Sequence, residues 1–87
     1  RQHFKQSAIQ FEMVKPIESS KLSSLNGVTN SIVDSDDVML YTDDIPVTMA
    51  ALLNLTSDIS ESVRNLYVRQ ATLEDVFIKL TGKRIRE

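Results

Sequence analysis

The chain has no cysteine and no tryptophan, only two glycines and two prolines, and a single histidine in 87 residues. Without cysteine, disulfide frameworks, thiol catalysis and thiolate-bound zinc are excluded together, and the absence accords with a reducing compartment. Two glycines are too few for a phosphate-cradling loop of the G-x-x-x-x-G-K-[ST] kind, which is missing. The formal charge is −2 and no basic run tracks a phosphate backbone, so nothing electrostatic favours nucleic acid. No apolar run approaches the roughly 20 residues that span a bilayer, and no signal-peptide pattern opens the chain, so no direct membrane insertion is expected. His3 sits in a polar lead-in and reads as a solvated tail residue, neither metal ligand nor general base.

What is present is an ordinary globular composition, 41% hydrophobic and 25% charged, on a chain long enough for one domain with a modest core. It opens Arg1-Gln2-His3 without an initiator Met and reads as a piece of a longer protein. Residues 1–7 form a flexible lead-in with Phe4 as its anchor. Ile9, Phe11 and Met13 then alternate with polar residues, the period of a half-buried strand that Pro16 ends. A short, serine-rich helix over 19–25 stops at Asn26-Gly27. Val28–Val33 and Val38–Thr42 read as a hairpin joined by the turn chemistry of Asp34-Ser35-Asp36-Asp37. Asp43-Asp44 and Pro46 start a second helix over 45–57, with Met49, Leu52, Leu53 and Thr56 as its apolar stripe. A polar connection, 58–61, leads to a fourth strand from Val63 to Gln70. There Leu66 and Val68 face one way, Tyr67 and Arg69 the other. Val63 falls out of step, which predicts a bulge or a later start.

The closing helix has the strongest local signature. Leu73, Val76, Phe77 and Leu80 recur at i, i+3, i+4 and i+7, Thr72 and Asp75 stand at N-cap and N3, and Gly82 follows the last apolar residue. Leu73, Val76 and Phe77 are expected to face the domain core, with Ile78 and the charged residues facing a partner. The fold class expected is α+β, a ferredoxin-like βαββαβ sandwich over 8–70 with an additional C-terminal helix over 72–81. Two helices already fill one layer, so the third is expected at one end or on the open face of the sheet. Phe11, Met13, Leu66 and Val68 are the candidate sheet core.

Chemistry is sparse. Asp34, Asp36 and Asp37 lack the glycine and distal glutamate of an EF-hand loop and read as a solvated turn. The serine cluster Ser19, Ser20, Ser23 and Ser24 has no base beside it. Glu74 and Asp75 diverge on a helix by about 100° and serve as capping and dipole charges, not an acid–base pair. Phe11, Tyr41 and Tyr67 are the aromatics an RNA-binding sheet would use, a minor reading against the acidic balance. The residues by themselves describe an α+β domain without an active site.

The segment Leu66-Tyr67-Val68-Arg69-Gln70-Ala71-Thr72-Leu73-Glu74-Asp75-Val76-Phe77-Ile78-Lys79-Leu80-Thr81-Gly82-Lys83 resembles the end of many bacterial ABC transporter ATP-binding proteins of the daunorubicin-resistance and related ABC-2 exporter family. There a strand L-x-V-R runs into P-[ST]-L-E-[DE]-V-F-[LI]-x-L-T-G. This chain departs at Ala71, where the family usually has proline. Leu25-Asn26-Gly27-Val28 is similar to the family's L-P-G-V, and the acidic start at Asp43-Asp44 is in register.

The resemblance implies a C-terminal accessory domain of an exporter ATPase, not itself an enzyme. The ATP and magnesium sites would lie in a catalytic domain N-terminal to Arg1, with no cofactor held here. It implies as partners that ATPase domain, a second ATPase subunit and a membrane permease. The location implied is the cytoplasmic face of the membrane, with Thr72, Leu73, Glu74, Asp75, Val76, Phe77, Leu80 and Gly82 as the motif or interface residues. The alternative from a different class is a free-standing small-molecule-sensing ferredoxin-like module, of the kind that binds ligands through glycine-rich turns. Gly27 is the one turn glycine outside the tail.

Overall fold

A computed structural model of the chain describes residues 6–81; Phe4, His3 and Gly82, to which the sequence assigns an anchor, a solvated tail and a helix stop, lie outside them. The elements run β1 (Ser7–Met13), α1 (Ser19–Ser23), β2 (Val28–Asp34), β3 (Asp37–Thr42), α2 (Ile45–Leu55), α3 (Ile59–Ser62), β4 (Val63–Gln70) and α4 (Leu73–Thr81). The four strands form one antiparallel sheet in the order β2-β3-β1-β4. That order and the βαββαβ succession are those of the ferredoxin-like sandwich anticipated from the sequence.

Alternation along the central strands builds two cores. Ile9 and Phe11 of β1 pack with Val38 and Leu40 of β3, Val63 of β4, Leu22 of α1 and Leu52 of α2. The intervening residues Ala8, Met39 and Tyr41 form a second cluster with Ile78 of α4. Successive side chains of a strand point to opposite faces, so α1 and α2 cover one face of the sheet and α4 the other. The additional C-terminal helix, α4, thus occupies the open face.

Of the four candidate core residues, Phe11 is buried and Met13 and Leu66 pack against the first cluster. Val68 faces the same way, paired with Ile9, but stays 42% exposed: β4 is an edge strand. The stripe of α2 also differs from expectation. Thr48 and Leu52 are its buried residues, whereas Leu53 is exposed. The bulge in β4 is present. Its pairing with β1 shifts between Gln10 and Glu12, Asn65 takes a left-handed φ of 55°, and Glu12 accepts from both Arg64 Nε and Asn65 Nδ2 at 3.1 Å.

The connection 58–61 contains a helical turn that the sequence reading leaves as loop. Asp58 caps it, its carboxylate accepting from the Ser60 N–H at 3.1 Å and the Ser60 hydroxyl at 2.7 Å. Asp44 caps α2 as anticipated, accepting from the Val47 N–H at 3.2 Å.

Gly27 joins α1 to β2 with φ 87°, a region that costs an L-residue roughly 1–2 kcal/mol. A Cβ placed there would lie 2.3 Å from Thr48 Oγ1. That hydroxyl is committed: it donates to the Asn26 carbonyl at 3.0 Å and lies 2.8 Å from Thr42 Oγ1, which accepts from the Asp44 N–H at 2.9 Å. Gly27→Ala should therefore cost about 2 kcal/mol, dihedral strain and overlap together. A urea titration of the variant against the parent measures it, and a loss below about 0.5 kcal/mol would show that the junction relaxes freely.

Candidate functional site

The site is the terminal helix and the polar anchor beneath it. Asp75, three residues after Thr72, is 2% exposed. Arg69 at the end of β4 grips its carboxylate with both guanidinium nitrogens, Nη1 to Oδ2 at 2.7 Å and Nη2 to Oδ1 at 2.8 Å. The Tyr41 hydroxyl of β3 donates to Oδ1 at 2.6 Å. Oδ2 also accepts from the Thr72 backbone N–H and, at 3.0 Å, from the Thr72 hydroxyl. Asp75 therefore serves as the returning half of a capping box, while Thr72 contributes its hydroxyl as a donor to the carboxylate. Arg69 is itself aimed by Gln10, whose Oε1 accepts from Nε at 2.9 Å.

Burial alone would raise the Asp75 pKa, but the hydrogen bonds from Arg69, Tyr41 and Thr72 outweigh it and hold the carboxyl well below the usual carboxylate range. The Tyr41 phenol is pushed above its ordinary value by burial and then by its bond to Asp75. The Arg69 pKa is raised by its hydrogen bond to Asp75, against burial. All three groups keep one protonation state across the physiological range. The cluster is an anchor, and no member of it is poised for proton transfer.

The anchor sets the rotation of α4. Asp75 and Ile78, three apart, share the face turned to the sheet, and Ile78 is 1% exposed. Leu73, Phe77 and Leu80 fall on the opposite side at 73%, 45% and 81% exposed, with Val76 half-buried and Glu74 exposed. The expected orientation is thus reversed: Ile78 faces the core, and Leu73 and Phe77 face outward. The reason is electrostatic. The sheet surface under α4 presents Arg69, aimed by Gln10, and the Tyr41 hydroxyl, and Asp75 is the carboxylate that meets both.

The strand-to-helix corner also has a local explanation. Ala71 stands where the exporter family usually has proline, and its N–H donates to the Gln6 carbonyl at 3.0 Å, a bond proline cannot make. Between α4 and the sheet lies an open cleft of about 300 Å³ lined by residues including Gln10, Tyr67, Arg69, Glu74 and Ile78.

The other sequence candidates are dispersed. Phe11 is buried on the α2 side, Tyr41 is buried under α4, and of the three only Tyr67 is exposed, so these three do not form an aromatic platform for RNA. Asp34, Asp36 and Asp37 lie at the hairpin turn, where Ser35 takes φ 58°, and among the described residues no three acids or histidines converge as metal ligands. No helix among them is long and apolar enough to cross a membrane. Gly27 is committed to its close approach to Thr48 and to its dihedral.

Sequence reasoning missed the Arg69–Asp75–Tyr41 cluster. The signal available was an arginine just ahead of a capping aspartate, but the tyrosine partner lies 34 residues away in sequence.

Two comparisons return nothing: no curated protein and no solved structure matches the chain. A family model does match, that of the C-terminal domain of the nodulation factor export protein NodI, over residues 29–82. The matched region takes in nearly all of β2 and everything from β3 through α4, more than half of the chain. It includes both halves of the Arg69–Asp75 anchor and the outward stripe, and it agrees with the exporter-ATPase resemblance of the terminal motif. The chain belongs to the NodI C-terminal domain family, and is thus a C-terminal domain of the ABC exporter ATP-binding proteins.

Proposed function

We propose that this domain is a non-catalytic accessory unit of an exporter ATP-binding subunit, one that helps two such subunits pair and couples them to the membrane permease. The observation that carries the reading is the outward Leu73–Phe77–Leu80 face on a helix whose inward face is fixed by a buried ion pair. A helix selected only for stability would turn its largest apolar groups inward, since burying each is worth about 1.5–3 kcal/mol. Here an aspartate is desolvated instead, and three apolar groups at i, i+4 and i+7 remain outside, the spacing by which a helix lies in a groove.

In this reading Asp75 and Thr72 anchor the helix, Leu73, Phe77 and Leu80 dock, and Glu74 and Val76 border the contact. Gly82 ends the motif. The partners are the subunit's own ATPase domain, a second ATPase subunit and the permease, which together place the domain at the cytoplasmic face of the membrane. ATP and magnesium belong to the catalytic domain, and no residue of this chain is assigned to them. Export is what the family description carries over; the cargo is not.

The test uses the full ATP-binding subunit carrying Phe77→Asp with Leu80→Asp. Subunit pairing or permease association should weaken by about tenfold or more, as for loss of central apolar anchors, and export should fall with it. The 87-residue chain should stay folded with only a modest drop in its unfolding midpoint, because Leu80 is largely and Phe77 nearly half exposed. If pairing, permease association and export all persist, the reading is wrong.

A further inference from the structure

The strand order leaves β2 and β4 as the two edges of the sheet, and the two are defended differently. β4 carries Arg64 and Arg69, a left-handed residue at Asn65 and a break in register. Charge and irregularity of that kind discourage a further strand from pairing. β2 reads Val28-Thr29-Asn30-Ser31-Ile32-Val33-Asp34. It has no lysine, arginine or proline, and its one charge is its last residue. Its irregularity falls at the start, between Val28 and Asn30, which leaves Asn30 to Asp34 regular.

The hairpin fixes which backbone groups of that regular segment face outward. Asp34 and Asp37 close the two-residue turn as a pair, and bonded and non-bonded pairs alternate back along an antiparallel ladder from such a turn. The N–H and C=O groups of Ser31 and Val33 therefore point away from β3, out of the sheet.

We propose that this edge is a self-pairing surface, to which a second copy of the chain adds its own β2, antiparallel, about a twofold axis at Ile32. Ser31 of each copy then stands opposite Val33 of the other, and both pairs exchange their outward N–H and C=O groups. Ile32 meets its own counterpart in a non-bonded pair, where Cα atoms come within about 4.5 Å. Asn30 stands opposite Asp34, so no like charges are opposed. Ile32 already packs against the cluster of Met39, Tyr41 and Ile78, so the contact extends an existing apolar patch. The half-exposed Val33 gains cover from the facing strand.

What selects a second copy over an arbitrary extended peptide is self-complementarity: the register that satisfies one strand satisfies the other, as a twofold interface requires. The pairing supplies a surface for the subunit pairing of the proposed function and to that extent rests on it. It uses a different part of the domain from the α4 stripe, so the two fail separately.

Because the chain lacks cysteine, a single introduced thiol reports proximity. Ile32→Cys should form a disulfide-linked dimer under mild oxidation, since the non-bonded spacing lies within the Cα range a disulfide spans. It should do so about tenfold or more faster than Ser20→Cys on the exposed side of α1, which measures random collision. Adding Ser31→Pro removes an outward donor that β3 does not use, and should bring the rate down to the collision level.

Sedimentation equilibrium gives an independent reading, with a concentration-dependent dimer for the parent chain and a monomer for Ile32→Lys. Crosslinking at the collision rate, insensitivity to Ser31→Pro, or a parent that is monomeric at every concentration would each overturn the proposal.

Discussion

Asp75→Ala is expected to lower the unfolding free energy by about 3 kcal/mol and to release α4 from the sheet. Removing one member of a buried ion pair typically costs about 3–5 kcal/mol, because the partner charge stays behind without compensation. Here Arg69 keeps 26% of its side chain exposed, so water can reach it, and the low end of that range applies. The Tyr41 hydroxyl adds to the loss. It is fully buried, and the Met39 sulfur, 3.6 Å away, is a weak acceptor that cannot replace the carboxylate.

The cost has a ceiling, the docking free energy of α4 itself. Ile78 is the only large apolar group the helix buries completely among those described, worth roughly 1.5–3 kcal/mol, and a nine-residue helix does not persist alone. Hydrogen exchange should therefore show α4 amides losing protection while those of β1 and β3 keep theirs. A variant whose α4 remains as protected as the parent's would mean that Ile78 and not the ion pair holds the helix.

The same carboxylate predicts the acid limb of the stability profile. Its pKa in the folded state lies well below the usual range, while in the unfolded chain it is about 3.9. The stabilisation is therefore complete above roughly pH 5, and it is lost as the pH falls through the unfolded value toward the folded one. Below that window the parent and Asp75→Ala should converge, and above it their difference should be flat. A difference that grows with acidity would assign the stabilisation to another group.

Much of the architecture was legible because local rules and tertiary placement agreed. Ile9, Phe11 and Met13 alternate as a half-buried strand must, and they all face α1 and α2. Asp44 and Pro46 opened a helix where caps and a first-turn proline belong. The misfit of Val63 with Leu66 announced the irregularity that Asn65 now accommodates. The failures came where a long-range polar contact overrode the apolar pattern. In α4 the stripe rule points Leu73 and Phe77 inward, yet the arginine and tyrosine waiting on the sheet require Asp75 there, and Ile78 follows by helical spacing. In α2 the same rule missed that Thr48 is buried to satisfy Thr42 and Asn26, which turns Leu53 outward. Neither demand is visible within one element, because the groups that create it lie on others.

A pair of phenylalanines puts that distinction to a quantitative test, and carries the largest single loss expected. Phe11→Ala should cost about 3–5 kcal/mol. The ring is 1% exposed, lies on the central strand β1 and fills the cluster beneath α1 and α2, where neighbours on every side prevent collapse of the cavity. Phe77→Ala should cost about 1–1.5 kcal/mol, since nearly half of its surface is already in water and the burial lost is about half that of a fully enclosed ring. Chemical denaturation of the two variants gives both numbers on one scale. In the assembled exporter subunit the ranking should invert: Phe77→Ala should impair partner binding in a folded domain, whereas Phe11→Ala should act only through the folded fraction. A Phe77→Ala loss of 3 kcal/mol or more would place that ring in the core after all, and the outward stripe on α4 would no longer be available to a partner.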